Sequence, residues 1–207
     1  MEPVYIFKVV LLGDPMVGKS AFIKRCTSGS FNSNYVKRVG VDFTSKTVQL
    51  PDGKQAHIHF WDILGSSRVI DQPSIYFRNT HGAIVMYDSN EPNGKAHVAE
   101  WKTLLETYAT LDGKPCNPPT ILVANKLDLV CKKSDEYDRE ELMATTDTLG
   151  FVAGYPCSVA ANWNVDPIIR TLINRMIETQ PIANLEKEVT LFEDNGNPEE
   201  KPGCIVQ

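Results

Sequence analysis

The sequence has few cysteines, no long apolar run and no surplus of positive charge, and each shortage removes a class of protein. Its five cysteines, Cys26, Cys116, Cys131, Cys157 and Cys204, are odd in number, widely spaced and free of any Cys-x-x-Cys pair. A disulfide framework and a structural zinc site are both disfavoured, and the first four read as packing residues. The apolar run Val9 to Leu12 stops at Gly13, and no window approaches the roughly 20 apolar residues of a membrane-spanning helix. The first residues, MEPVYIFKVV, lack a basic region followed by a long apolar core and a cleavage site, so export is not expected. With 21 Lys+Arg against 26 Asp+Glu the formal net charge is -5, which gives no general attraction to a phosphate backbone. Nucleic acid is not expected as a partner, and any polyanion must be held locally.

What is present suits one cored domain and a tail. The 207 residues are 42% hydrophobic and 23% charged, which excludes wholesale disorder. Tyr5 to Leu12 is short, apolar and β-branched, and predicts a buried strand entering a glycine turn; Lys19 to Thr27 then predicts a helix. Phe43 to Leu50 and Gln55 to Trp61 alternate around Pro51-Asp52-Gly53, which predicts an antiparallel hairpin. Further strands are expected at Ala83 to Tyr87, Thr120 to Ala124 and Phe151 to Cys157, with helices at Lys95 to Tyr108, Ser134 to Leu149 and Asn164 to Glu178. Strands that alternate with helices imply a doubly wound α/β domain with a mostly parallel sheet. After Pro181 the chain turns acidic and loses apolar periodicity, so residues 1–180 are expected to form the domain and 181–207 a solvated tail.

Two motifs carry chemistry. Gly13-Asp14-Pro15-Met16-Val17-Gly18-Lys19-Ser20 fits G-x-x-x-x-G-K-[ST] between a predicted strand and a predicted helix. Such a loop aims backbone N–H groups and a helix N-terminus at phosphates, Lys19 adds a cation, and the Ser20 hydroxyl can ligate magnesium. The plainer reading is a glycine turn capping a helix. Pro15 is unusual here, since it brings a fixed φ and no N–H to the cradle. Asn125-Lys126-Leu127-Asp128 follows the apolar strand ILVA, at a strand's carboxyl end, where ligands of open α/β sheets collect. A carboxylate at Asp128 can accept from N1–H and the 2-amino group of guanine, whereas adenine presents a lone pair at N1. On its own N-K-x-D is as often a surface loop, but after a phosphate loop it points to a guanine nucleotide.

With these motifs placed, the chain from Tyr5 to about Thr179 resembles the Ras superfamily of small GTPases, and within it the Rab branch. Gly40-Val41-Asp42-Phe43 is similar to the Rab segment after the first switch, Trp61-Asp62-Ile63-Leu64-Gly65 resembles W-D-x-A-G, and Tyr76-Phe77-Arg78 with His81-Gly82 is similar to the stretch after the second switch. Ile63 and the insert LDGKPCNPP resemble the Rab subgroup associated with lysosome-related organelles. The resemblance implies a single P-loop G domain: six strands, mostly parallel, one antiparallel edge strand, and helices on both faces. It implies GTP/GDP and Mg2+ as ligands. By position, Phe31 matches the aromatic beside the guanine, Asp62 the carboxylate that holds magnesium through water, and Ser158-Val159-Ala160 the S-A-K loop, with Val159 N–H the donor to guanine O6 and the family lysine replaced by Ala160. Taken alone, Phe31 could be core and Asp62 a turn cap.

The same comparison exposes losses at the γ-phosphate. The first-switch threonine corresponds to Arg38, which cannot ligate a metal cation. The water-orienting glutamine corresponds to Ser66 and the following glutamate to Ser67, so no catalytic residue is assigned and weak or absent intrinsic hydrolysis is expected. Arg38 could instead stabilise transition-state charge in cis, or be a solvated loop residue. Phe43, Trp61 and Tyr76 match the aromatic triad through which Rab proteins read effectors, with core packing the alternative. Cys204-Ile205-Val206-Gln207 is a C-a-a-X box whose final Gln favours farnesyl. Six acids and two lysines between Pro181 and Gly203 supply no polybasic second signal, so one prenyl group would give reversible attachment. The expected partners are effectors, an exchange factor and a prenyl-binding chaperone. The expected place is the cytoplasmic face of an intracellular membrane, in exchange with the cytosol, and the expected state a monomer. An ordinary slow switch completed by activating partners, and a small P-loop kinase, remain as alternatives.

Overall fold

A computed structural model describes residues 4–32, 41–50, 52–63, 73–130 and 139–179. The main sheet has six strands: β1 (Val4–Leu12), β2 (Val41–Gln49), β3 (Gln55–Ile63), β4 (Gly82–Asp88), β7 (Thr120–Asn125) and β8 (Ala153–Pro156). Their order is β2-β3-β1-β4-β7-β8, and only the β2–β3 pair is antiparallel. The expected mostly parallel sheet with one antiparallel edge strand is what the chain forms.

Side-chain alternation along the strands builds one core on each face. Phe7, Val9 and Leu11 of β1, with Ile84 and Met86 of β4, pack under α1 (Lys19–Ser28) and the last helix, α6 (Val165–Thr179). Val10, Leu12, Ala83, Val85 and Leu122 point the other way, under α2 (Pro73–Phe77), α3 (Val98–Tyr108) and α5 (Arg139–Thr148). Every residue of β4 and β7 is buried because helices cover both their faces. At the β2–β3 margin one face alternates toward solvent instead.

Several boundaries differ from expectation. The helix expected from Lys95 begins at Val98, because Glu91 to Val98 closes successive i→i+3 turns: Gly94 N–H donates to Glu91 O, Ala96 to Asn93 and Val98 to Lys95. The last strand expected from Phe151 begins at Ala153, since Phe151 N–H donates to Thr146 O at the end of α5. Of the helix expected from Ser134, residues 139 onward are described. The insert LDGKPCNPP holds an unforeseen hairpin, β5 (Thr110–Leu111) and β6 (Lys114–Pro115), whose turn residues Asp112 and Gly113 have φ of 50 and 73. That pair of positive φ values is a type I′ turn, for which Asp-Gly is a strong local signal. The short helix α4 (Leu127–Val130) was also not foreseen, nor was α2. Burial pushes the Cys26 and Cys157 thiols up to about 12, as suits packing residues; Cys131 and the tail lie outside the described residues.

His81 joins the loop before β4 to the central strand. Its Nδ1 accepts the Lys8 backbone N–H at 3.1 Å, which requires a neutral ring with the proton on Nε2. Burial, aided by the Lys8 charge, holds the imidazole down to about 4 from 6.5. Between these values the unfolded chain binds a proton that the folded chain refuses. Stability should therefore be full above about pH 6.5 and fall by about 3 kcal/mol as the pH drops toward 4. Urea titrations across this range should show the slope in the native sequence and its reduction in His81→Phe.

Candidate functional site

The strand order reverses direction at β1, and the loops leaving β1, β7 and β8 meet the end of β3 at this switch point. Gly13 leaves β1 at φ 133, where a Cβ would lie 2.1 Å from the Met86 carbonyl oxygen of β4. Gly18 sits at φ 107, where a Cβ would lie 2.3 Å from Asn125 Nδ2. Only glycine passes at either point. Gly18 is the N-cap of α1 and its carbonyl takes the first helical bond, from Phe22 N–H at 2.8 Å, so the helix N-terminus opens directly off the loop.

Lys19 lies beneath this loop, its Nζ donating to Gly13 O at 2.7 Å and Asp14 O at 2.8 Å. Burial pulls its pKa down to about 8, while Asp62 and Asp14 push it back up. A buried ammonium with mostly neutral partners is poised to accept an anion. Ser20, in the first turn of α1, donates its hydroxyl to Asp62 Oδ2 near the end of β3. Two hard oxygen groups thus stand together, one beside the helix N-terminus, and this donor set suits a divalent cation shared with phosphate oxygens. Val17 is buried in the first core, Met16 is exposed at φ 66, and Pro15 is exposed.

A cavity of about 690 Å³ runs from this loop. Its lining includes Met16, Gly18, Ser20 and Asp62, and also Phe31, Asn125, Lys126, Asp128, Val159 and Ala160. Asn125 is buried and bridges the loops after β1 and β8: Nδ2 donates to Val17 O at 2.8 Å, and Oδ1 accepts the Val159 N–H at 3.1 Å. The Val159 N–H, which the family resemblance implies as a donor to guanine O6, donates to Asn125 in this structure. Asp128 lies in the first turn of α4, and Ser158 hydroxyl donates to its Oδ1 at 2.6 Å while accepting Ala161 N–H at 3.0 Å. Ser158 therefore orients the carboxylate rather than lining the cavity. Lys126, at φ 67, pairs with Asp88 Oδ2 at 2.6 Å.

Arg25 was not anticipated. Its Nε donates to Val159 O at 3.0 Å, Nη2 to Ala160 O at 2.9 Å and Nη1 to Gly29 O at 2.8 Å, and its guanidinium lies 5.5 Å from the Phe31 ring. One side chain thus ties the end of α1 to the loop after β8 and to the aromatic at the cavity mouth. In the sequence it is only a basic residue in a helix's last turn, where the dipole alone would account for it. Phe31 is 40% exposed and Phe43 is 60% exposed, so neither is a core residue. Phe43 meets Trp61 edge-on at 4.5 Å, and Trp61 and Tyr76 rest partly buried against the second core. Arg38, Ser66 and Cys204 lie outside the described residues.

Residues 8–178 match the Ras family. The chain belongs to that family. It is 32% identical over 193 residues to the GTP-binding protein YPT1 of Saccharomyces cerevisiae, covering 93% of this chain and 89% of the relative. It is 30% identical over 187 residues to the Ras-related protein Rab-7L1 of Homo sapiens, covering 89% and 90% respectively. Over 204 residues it is 29% identical to the Ras-related protein Rab-1A of Dictyostelium discoideum, covering 97% and 96%. These relatives bear out the Rab-like reading over most of the chain.

Arg25→Ala should lower stability by about 1–3 kcal/mol and speed amide hydrogen exchange at 159–161 before it does so in β4. Arg25→Lys should restore little, because one ammonium cannot reach two carbonyls as the planar fork does. Urea denaturation with exchange mass spectrometry reads both.

Proposed function

We propose that this protein is a Rab-like guanine-nucleotide-binding protein of membrane traffic, which binds GTP and GDP and recruits effectors while hydrolysing GTP poorly. The observation that carries the base assignment is the Asp128 carboxylate, fixed by Ser158 and lining the cavity that opens off the phosphate loop. An acceptor-only group there pairs with N1–H and the 2-amino group of guanine and repels N1 of adenine. Gly18, Lys19 and the start of α1 would receive the phosphates. Ser20 and Asp62 would hold magnesium, whose role when bound is to neutralise phosphate charge.

Poor hydrolysis follows from the residue types at two positions. Arg38 stands where the family has its metal-binding threonine, and Ser66 where it has the water-orienting glutamine. Phosphoryl transfer depends on positioning and electrostatics, so both exchanges remove what the reaction needs from the protein. The Phe43 ring, by contrast, is exposed at the β2–β3 margin against a partly buried Trp61, and Tyr76 rests partly buried on the second core, in keeping with effector recruitment. Cys204, in the C-a-a-X sequence, would carry a single prenyl group and give reversible membrane attachment aided by a prenyl-binding chaperone.

Calorimetry on magnesium-loaded, nucleotide-stripped protein should give heat with GDP and GTP and at least about 10³-fold weaker binding of ADP and ATP. Asp128→Asn should lose guanine affinity and gain xanthine nucleotides, because the amide can donate to the 2-oxygen of xanthine. Equal affinity for ATP would end the guanine assignment. In single-turnover assays bound GTP should turn over no faster than on the order of 10⁻⁴ s⁻¹. A clearly faster intrinsic rate would remove the impaired-hydrolysis part alone and favour an ordinary switch.

A further inference from the structure

Asp14 brings a carboxylate into a loop built to hold polyphosphate, and both of its oxygens are engaged by one helix. Oδ2 lies 2.8 Å from His97 Nδ1 and Oδ1 accepts the Trp101 indole N–H at 3.0 Å. His97 is the residue before α3, it makes no capping bond to its own helix, and Trp101 follows one turn later, so both donors leave the same face. The carbonyl oxygen of Asp14 meanwhile accepts from Lys19. An acid at this place adds negative charge beside the phosphates unless something nearby offsets it. Pro15 next to it has a fixed φ and no N–H, which makes the Asp14 side chain the adjustable contact at this corner of the loop.

We propose that His97 and Trp101 are positioning residues of the phosphate loop, holding the Asp14 carboxylate toward α3 and offsetting its charge so that nucleotide retention depends on that helix. This rests on the guanine-nucleotide reading and adds a pair of residues that belong to neither nucleotide motif. Among the described residues, the charged groups around His97 are Asp14 from the loop, Glu100 on α3 and, behind Asp14, the Lys19 ammonium. Lys95, two residues earlier, is paired with Glu141 of α5. The hydrogen bond from Asp14, and then its charge, hold the His97 imidazole above its ordinary 6.5. A protonated ring cancels the carboxylate, while a neutral ring leaves at most one uncharged hydrogen bond. Retention is strongest below the His97 pKa and weakens as the pH rises through it.

The test is the release rate of a fluorescent methylanthraniloyl GDP from the full chain between pH 6 and 8.5. Release from the native protein should accelerate on the order of 10-fold across this range. His97→Gln should release fast with a flatter profile, His97→Arg slowly with a flatter profile, and Trp101→Phe faster at each pH with the native slope kept. Titration of Lys19 and of the phosphate is common to all four, so the difference between profiles is what counts. NMR titration of the His97 ring in nucleotide-free protein supplies a second reading: its pKa should lie above 6.5 and return to that value in Asp14→Asn. A His97→Gln profile that keeps the native slope, whether or not uniformly faster, overturns the charge role, as does a His97 ring that ignores Asp14→Asn. Native protein that takes up no GDP overturns the guanine reading, and the ring titration then still decides the contact.

Discussion

The carboxamide of Asn125 holds three strand ends in one geometry: it closes β7, donates to Val17 O in the loop after β1, and accepts from Val159 N–H in the loop after β8. The separation of the loop after β1 from the loop after β8 is set by that one buried side chain. Gly18 has to be glycine for the amide to approach, and Ser158 lies beside Val159, so its grip on Asp128 shares the same anchorage. Leaving either end of the bridge unpaired would cost about 1–3 kcal/mol, and the two loops would shift against each other.

The edge of the sheet explains the second surface. β3 lies between β1 and β2, and its alternation leaves one set of side chains facing outward, where no helix among the described residues covers it. Trp61 lies in that set, opposite Phe43 of β2, with the Lys8 ammonium 3.5 Å from its ring centre. A cation over an indole keeps the ring in place while its edge stays available. On the proposed reading, the residues for recognition and for nucleotide chemistry share one strand, since Asp62 follows Trp61 and faces the other way.

What the sequence made legible was local. The phosphate loop, the N-K-L-D segment and the alternating strands are patterns of neighbours in the chain, so spacing alone placed them and the sheet they serve. Arg25, His97 and Trp101 were illegible because their partners lie far off: Arg25 reaches residues 134 and 135 positions away, and the two α3 residues reach Asp14 across 83 and 87 positions. No periodicity encodes such a contact. The bond from Val159 N–H to Asn125 was illegible for the same reason, since the two residues belong to different strand ends. The Asp112-Gly113 turn was the exception, a short-range signal that stood in the sequence and was read only as part of an insert.

That turn has a wider effect. By folding LDGKPCNPP back on itself, it sets Thr110 beside Arg78 and lets the Thr110 carbonyl accept the Thr80 N–H at 3.1 Å, while Cys116 N–H returns to Ala109 O. The added residues are thereby stitched to the segment that launches a central strand. A protease should meet them as part of the cooperative unit, and a lineage that shortened this insertion would lose the Cys116 bond to Ala109 that braces Thr110 under Thr80.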